Sequence, residues 1–589
     1  MPARNRSGFA LPLTILVMLA LASVAAAAAY MTMGTTLVRS GYTRDEMLGR
    51  HADEAIEQVR ALLNGMPALY PDTGYAILEE DEPVLDEAGN EIPGLTRSLY
   101  VGPIGVTSGQ YGVHGAIIAI TRDAGGGVAI RRGGIVQESF SKYAYFTNDE
   151  GVIVFGGGDQ VYGPVHSNDD ITIHDAANAA TFHGPVSTAG TIANRHRASF
   201  RDGYAERVPR IPMPQTADLD KLRVQAQAGG TAFTTTNIAT TGRARMRIEF
   251  IAIDLNGDGD VTDANEGFIR VYQASSNSYA DWVVGMRGIS SIDTNSGMRD
   301  SENCGHFHVD GLFYDADGHG TSGSDRWYQA LQDNHSTRYA RCFLGGAPEL
   351  TSTGTFSATD SYGGWVYRGS ASLHASLSAR PDRDYLFAIT RELNPNFKGV
   401  IHVTGDVAIS GTVRGRVTIA ATGDIIIADD LRYAIDPGAG TCEDIVGMFA
   451  GGDVVMANTP FTAPANVNGT RRTFDDTSDE FVHGFVLTLN EFRAEDHDTG
   501  STTAERCGTT NWGRGCLFLT GGIIQRTRGP VGLSSGTGYL KRYSYDPCGA
   551  SQPPPYFPTT GRFARGPYLE IDPVGFDIDD YFDMITAGG

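Results

Sequence analysis

The chain has 589 residues, enough for several packing units, and its 41% hydrophobic and 20% charged content describes folded protein. A formal net charge of −23 excludes broad contact with nucleic acid, which needs clustered Lys and Arg, and suits a protein kept soluble outside the cell. Glycine, at 74 residues without a collagen triplet, reads as the turn residue of a β-rich fold with many short strands.

The first element is announced by RNRSGFALPLTILVMLALASVAAAAAY, residues 4–30. Residues 9–38, thirty in all, carry no charge, whereas a helix needs roughly 20 to cross the hydrocarbon core. Arg4, Arg6 and the α-amine precede this run, so the positive-inside rule puts the N-terminus in the cytoplasm. A secretion signal, with its apolar region at 11–21 and cleavage near 25–29, and a plain membrane anchor both fit these letters. Further on, Thr43-Arg44-Asp45-Glu46 has the form of a capping box. Leu48, Ala52, Ala55, Ile56, Val59 and Leu62 then make a helical stripe that Asn64-Gly65 can close. The spacing predicts a hydrophobic helix, a joint at Gly41 and an amphipathic helix.

The basic leader ending in Ser7-Gly8, the Phe9 that follows, and ADEAIEQVRALL at 52–63 resemble type IV pilin-like proteins, and minor pilins of the PilX type most closely. The resemblance implies that a prepilin peptidase cuts after Gly8 and methylates Phe9. The helix is then kept as the spine of a subunit held in the inner membrane or assembled with other pilin or pseudopilin subunits. Major pilins carry Glu at the fifth mature position, where it neutralises a neighbour's α-amine; here that position is Leu13, preceded by Pro12. An unpaired buried charge is expensive, so a subunit lacking the Glu suits a filament tip or the membrane itself. PilX-type relatives commonly lack it as well.

Residues 66–150 read as a strand-rich connecting region, with a hairpin in YGVHGAIIAITRDAGGGVAIRRGGIV at 111–136. Two places then repeat. Gly163-Pro164-Val165 returns as Gly184-Pro185-Val186, 21 residues on, and Gly405-Asp406 returns as Gly423-Asp424, 18 residues on, and again as Gly452-Asp453. Each Gly-Asp precedes an apolar alternation: Val407/Ile409, Ile425/Ile427, Val454/Met456. Short strands at coil-sized offsets with glycine at the corners predict a parallel β-helix; an antiparallel sandwich is the plainer alternative. The expected architecture is therefore mainly β: an N-terminal helical spine at 9–65 after a leader at 1–8, then a right-handed parallel β-helix-like body. Its first coils lie at 151–204, an insertion of hairpins and loops at 205–395, and second coils with a C-terminal region at 396–589. GPVHSNDDITI, GDVAISG, LTGGIIQRTRGPVG, GYLKRYSYDP and SQPPPYFP also resemble an uncharacterised family of bacterial β-helix proteins, which implies architecture and no activity.

The sharpest chemical motif is DLNGDGDVTDANE, residues 254–266. Asp254, Asn256 and Asp258 occupy positions 1, 3 and 5 of a calcium loop, with Gly259 at the sharp turn, Asp260 offering its carbonyl and Thr262 reaching the ion through water. The terminal carboxylate, Glu266, stands one place late, and the flanks MRIEFIAI and GFIRVYQ are strands, so the picture is a hairpin tip wrapping calcium. A metal-free Asx/Gly turn fits the same letters. His306 and His308 share one strand face with acids nearby, a zinc-like pair that ordinary exposed alternation also explains. No HExxH and no P-loop motif occurs. Asp406, Asp424 and Asp453 recur at a coil corner, which turn geometry explains better than a catalytic pair. The six cysteines contain no CxxC, and proximity suggests Cys304 with Cys342, Cys507 with Cys516, and Cys442 with Cys548.

The expected function is that of a surface-exposed structural or adhesive minor pilin-like subunit that contacts a surface or glycan, with no enzymatic activity and no nucleic-acid partner. The alternative is a membrane-anchored or secreted β-helix enzyme acting on carbohydrate.

Overall fold

In a computed structural model, the described residues are 10–273 and 386–587, apart from 72–73, 105–113, 157, 178, 236–243, 245, 459–478, 499–505, 509 and 534–535, together with the short pairs 306–307, 313–314 and 343–344. The fold is mainly β with one long N-terminal helix. It divides into two units, Met1–Gln137 with Gly561–Gly589, and Glu138–Thr560. The return of the last residues to the first unit departs from the division read in the sequence, where 396–589 stood together.

In the first unit, helix α1 (Ala10–Gly65) is unbroken. The expected joint at Gly41 and the capping box at Thr43 do not form. The Thr43 hydroxyl instead donates to the Arg39 carbonyl at 2.9 Å, one turn back. A cap is needed only where helical N–H groups lack partners, and here the preceding turn supplies them. Strands β1 (Ala76–Leu85), β2 (Glu91–Pro103), β3 (His114–Asp123) and β4 (Val128–Ser139) form an antiparallel meander, with the strand Thr559–Ile571 beside β4. β3 and β4 are the hairpin that the glycine-punctuated alternation predicts, paired from His114↔Val136 to Arg122↔Val128. Period-2 alternation leaves both sheet faces apolar. One buries Leu99, Val101, Ile117 and Ile135 under Ala52, Ile56 and Val59 of α1. The other buries Tyr100, Ile118 and Ile130 against Phe582 of the C-terminal helix Ile578–Ala587.

The second unit is a stack of parallel strands. One ladder runs Ala232–Thr234, Val400–Thr404, Arg416–Ala421, Ile445–Ala450, Glu480–Ala494, Cys516–Thr527, Tyr145–Asp149, Val165–Ser167, Val186–Thr188 and Tyr204–Ala205, each parallel to the next. A second ladder joins Met246–Ala252, Val407–Val413, Ile425–Tyr433 and Val454–Met456. Within each strand alternate residues face one apolar interior: Ile401, Ile419 and Met448 stack there, as do Val165 and Val186. The outer face of the first ladder is covered by helix α2 (Thr216–Gly229) through Leu219, Leu222 and Ala226, which pack with Val400, Ala420 and Phe449.

Two features of the order were not visible in the sequence. The two groups of coils form one stack, because Cys516–Thr527 pairs with Tyr145–Asp149 (Ile523↔Tyr145, Ile524↔Phe146). Two strands within the stretch read as an insertion, Ala232–Thr234 and Met246–Ala252, are members of the ladders at the other end.

Candidate functional sites: an exposed spine and an acidic turn

The described part of α1 has two chemically different halves. Up to residue 40 every side chain from Leu11 on is exposed, among them Leu11, Leu13, Leu16, Leu19, Leu21 and Val24. Exposed aliphatic surface on this scale is unfavourable in water. This helix is long and apolar enough to cross a membrane. Its hydroxyls spend their donors on the helix itself, as Thr14 does on the Leu11 carbonyl at 2.9 Å and Thr32 on that of Ala28 at 2.9 Å, which removes the cost of placing them in lipid. Leu13, the residue at the glutamate position, is one of these exposed aliphatic groups. Gly8 and Phe9 lie outside the described residues.

The second half is held by the sheet. Thr121 donates to the Leu48 carbonyl at 2.8 Å, and Arg44 forms a two-pronged pair with Asp123, whose carboxylate also caps the Gly125 and Gly127 amides. Those amides and the guanidinium hold the Asp123 carboxyl below the usual range. At the end of α1, the Asn64 side chain brackets Phe563, donating to its carbonyl at 3.2 Å and accepting its N–H at 2.6 Å. Gly133 is needed beneath α1, since a Cβ there would stand 2.2 Å from Ile56 Cγ2.

The acidic turn joins the antiparallel strands Met246–Ala252 and Gly267–Gln273, a hairpin and not an EF-hand. Asp254 accepts the Gly257 N–H at 2.6 Å and the Gly259 N–H at 3.0 Å. Asn256 Oδ1 takes the Asp258 amide at 2.8 Å, Asp258 that of Asp260 at 3.1 Å, and Asp260 that of Thr262 at 2.9 Å. The Thr262 hydroxyl and amide lower the Asp260 pKa. Glu266 is buried, with one carboxylate oxygen on the Leu255 amide at 2.6 Å and the other on that of Asp263 at 3.0 Å. Here Glu266 ties the two ends of the turn together, and the tip carboxylates serve successive backbone amides. Among the described residues, acidic oxygens converge in threes only at Asp429, Asp430 and Glu480, all buried.

Of the cysteines, Cys442 is joined to Cys548 and Cys507 to Cys516. Cys304 and Cys342 lie outside the described residues, as does His308. The recurring aspartates are corner groups: Asp424 Oδ1 takes the Asp453 amide at 2.8 Å, and Asp453 holds the Asn490 amide group at 2.6 Å and Arg493 Nε at 2.8 Å.

No protein-family model matches the chain, and no curated protein matches it. Among solved structures, it is similar to the competence-associated pilin ComZ from Thermus thermophilus at 11% identity and a TM-score of 0.25, over 90% of this chain and 97% of that one. A likeness at that score carries no argument, so the functional reading stands on the geometry.

Proposed function

We propose that the chain is a minor pilin-like structural subunit, anchored in a bacterial inner membrane by α1 with its N-terminus in the cytoplasm, and available for assembly with other pilin or pseudopilin subunits. The observation that carries this reading is the single helix Ala10–Gly65, apolar and exposed along its first half and packed under a sheet along its second. A disposable signal would not need to continue without a break into a folded domain. The stacked parallel strands supply a body that we read as a β-helix, displayed for contact with a surface or glycan. The corner aspartates support a structural over a catalytic role for that body, because Asp406 and Asp424 each spend an oxygen on the next backbone amide and Asp453 holds Asn490 and Arg493. Calcium is a proposed accessory ligand of Asp254, Asn256, Asp258, Asp260 and Thr262, with Glu266 fixing the turn behind them.

N-terminal sequencing of the mature protein tests the assignment. N-methylated Phe9 as the first residue supports it. A mature chain beginning near Tyr30, or one unchanged in size when the prepilin peptidase is deleted, removes it.

A further inference from the structure

The stack contains a cavity of about 50 Å3 where its late and early coils meet, walled by Tyr145, Phe155, Phe492 and Ile523 and by a set of polar side chains. The polar set includes Asp159, Gln160, Gln525, Arg528, Lys541 and Tyr543. Gln525 and Arg528 are buried, Asp159, Lys541 and Tyr543 are half-buried and Gln160 is exposed. Polar groups on the wall of a stack filled elsewhere by Val, Ile and Phe each need a partner, since withdrawing charge from water is costly without one. Most of them have one. Arg528 donates to Glu150 at 3.1 Å and to the Ile153 carbonyl at 3.3 Å, and lies over the Phe155 ring at 4.0 Å. Glu150 also accepts from Tyr145 at 3.3 Å and from Thr147. Asp159 accepts the Gly156 amide at 3.0 Å, and Gln160 meets His183 at 2.7 Å.

Lys541 is the exception: half-buried on the cavity wall, its ammonium has no hydrogen bond or ion pair among the described residues. Burial, and then the positive charge of Arg528, push its pKa down to about 8, against the weaker pull of Asp159 and Glu150. A lysine partly withdrawn from water, in the field of another cation, is the arrangement that turns an ammonium into a nucleophilic amine. The composition sharpens the point. Only four lysines, Lys142, Lys221, Lys398 and Lys541, occur among the 46 basic residues. Arginine, the habitual cation of this chain, stays charged at any physiological pH and cannot do this chemistry. Lys142 and Lys221 are paired with Glu138 and Asp218, at 2.5 and 2.9 Å, and Lys398 is exposed.

We propose that Lys541 accepts a small aldehyde or ketone, held as an imine inside the cavity. The neutral Nζ attacks the carbonyl carbon, the carbonyl oxygen leaves as water after taking up the displaced protons, and a C=N bond replaces C=O; no oxidant or reductant is consumed. The volume admits a ligand of only a few non-hydrogen atoms, and the polar wall suits one carrying a hydroxyl. This inference is independent of the pilin-like reading.

The test uses the full chain in detergent, with glycolaldehyde as probe, sodium cyanoborohydride to trap the imine, and peptide mapping of all amines. At pH 7 roughly one amine in ten is neutral at Lys541 against about one in three thousand at an ordinary lysine. Lys541 is therefore expected to be labelled at least tenfold faster than Lys142, Lys221 and Lys398, with the advantage lost in guanidinium. Lys541→Arg keeps the positive charge and the melting temperature and removes the adduct. Labelling of Lys541 no faster than the other three, or an advantage that persists in denaturant, overturns the proposal.

Discussion

The Asp406 carboxylate accepts the backbone N–H of Asp424, one coil along the stack, at 2.9 Å. The glycine before that amide is part of the same device: a Cβ on Gly423 would lie 1.9 Å from Asp406 Oδ1, and one on Gly452 would lie 2.1 Å from Asp424 Oδ1. The recurring Gly-Asp pair is thus a carboxylate that reaches forward and a residue that leaves it room. Asp424→Ala strands the Asp453 amide and is expected to cost about 1–3 kcal/mol. Gly423→Ala is expected to destabilise by a similar amount, and much less when Asp406 is also Ala. Denaturant unfolding of Gly423→Ala, Asp406→Ala and the double variant reads that coupling; full additivity would mean that the contact is not the reason for the glycine.

Acid should weaken the stack through His402. The ring is buried on the strand Val400–Thr404, neither nitrogen has a hydrogen-bond partner among the described residues, and burial lowers its pKa to about 4. The unfolded chain takes up a proton near pH 6.5 and the folded one does not until about 4, so stability falls as pH drops across that window, by on the order of 3 kcal/mol. Asp406 and Asp424 oppose this: burial raises their pKa values above 3.8, so protonating them favours the fold as pH falls through the raised values. Melting of His402→Leu against pH isolates the histidine, and its curve should be flatter than the parent's between pH 6.5 and 4.

The two disulfides among the described residues should differ in worth. Cys442–Cys548 closes 106 residues and Cys507–Cys516 only 9. Chain entropy assigns about 2 kcal/mol more to the longer loop. Paired Ser substitutions at 442 and 548 should therefore lower the denaturation midpoint further than those at 507 and 516.

The junction of α1 with its sheet turns on Ile56 over Gly133. Ile56→Ala empties a buried site and is expected to cost about 2–5 kcal/mol. Gly133→Ala should destabilise the parent and be better tolerated alongside Ile56→Ala. Amide exchange in β3 and β4 reports both changes.

Calcium titration of a fragment lacking the apolar half of α1 checks the acidic turn. Heat at millimolar calcium, abolished by Asp254→Ala and Asp258→Ala together, is the expected result; no heat at that concentration leaves a hairpin tip stabilised by its own amides.

What was legible in the sequence followed from short-range pattern. The uncharged run, the stripe from Leu48 to Val59, the hairpin of β3 and β4 and the Gly-Asp corners each involve residues within one or two turns or coils. Long-range order was not legible. Ile523 meets Tyr145 across 378 residues of chain, and Phe250 meets Gly411 across 161; neither spacing repeats, so a search for tandem offsets passes over both. Gly41 misled because a polar T-x-x-E reads as a start signal even inside a helix that began thirty residues earlier. The cavity around Lys541 was invisible for the same reason as the joint it sits in, since its walls come from both ends of the stack.

That joint has a consequence for biogenesis. A polypeptide delivered N-terminus first presents Tyr145–Asp149 long before Cys516–Thr527, the neighbour whose backbone must zip against it. The early rungs therefore wait, one edge bare, until almost the whole molecule has emerged, and closure of the seam becomes a late event. Truncation before residue 523 leaves one edge of Tyr145–Asp149 without its partner, Val165–Ser167 holding only the other, so nonsense fragments should be cleared by proteases rather than accumulate as shorter stacks.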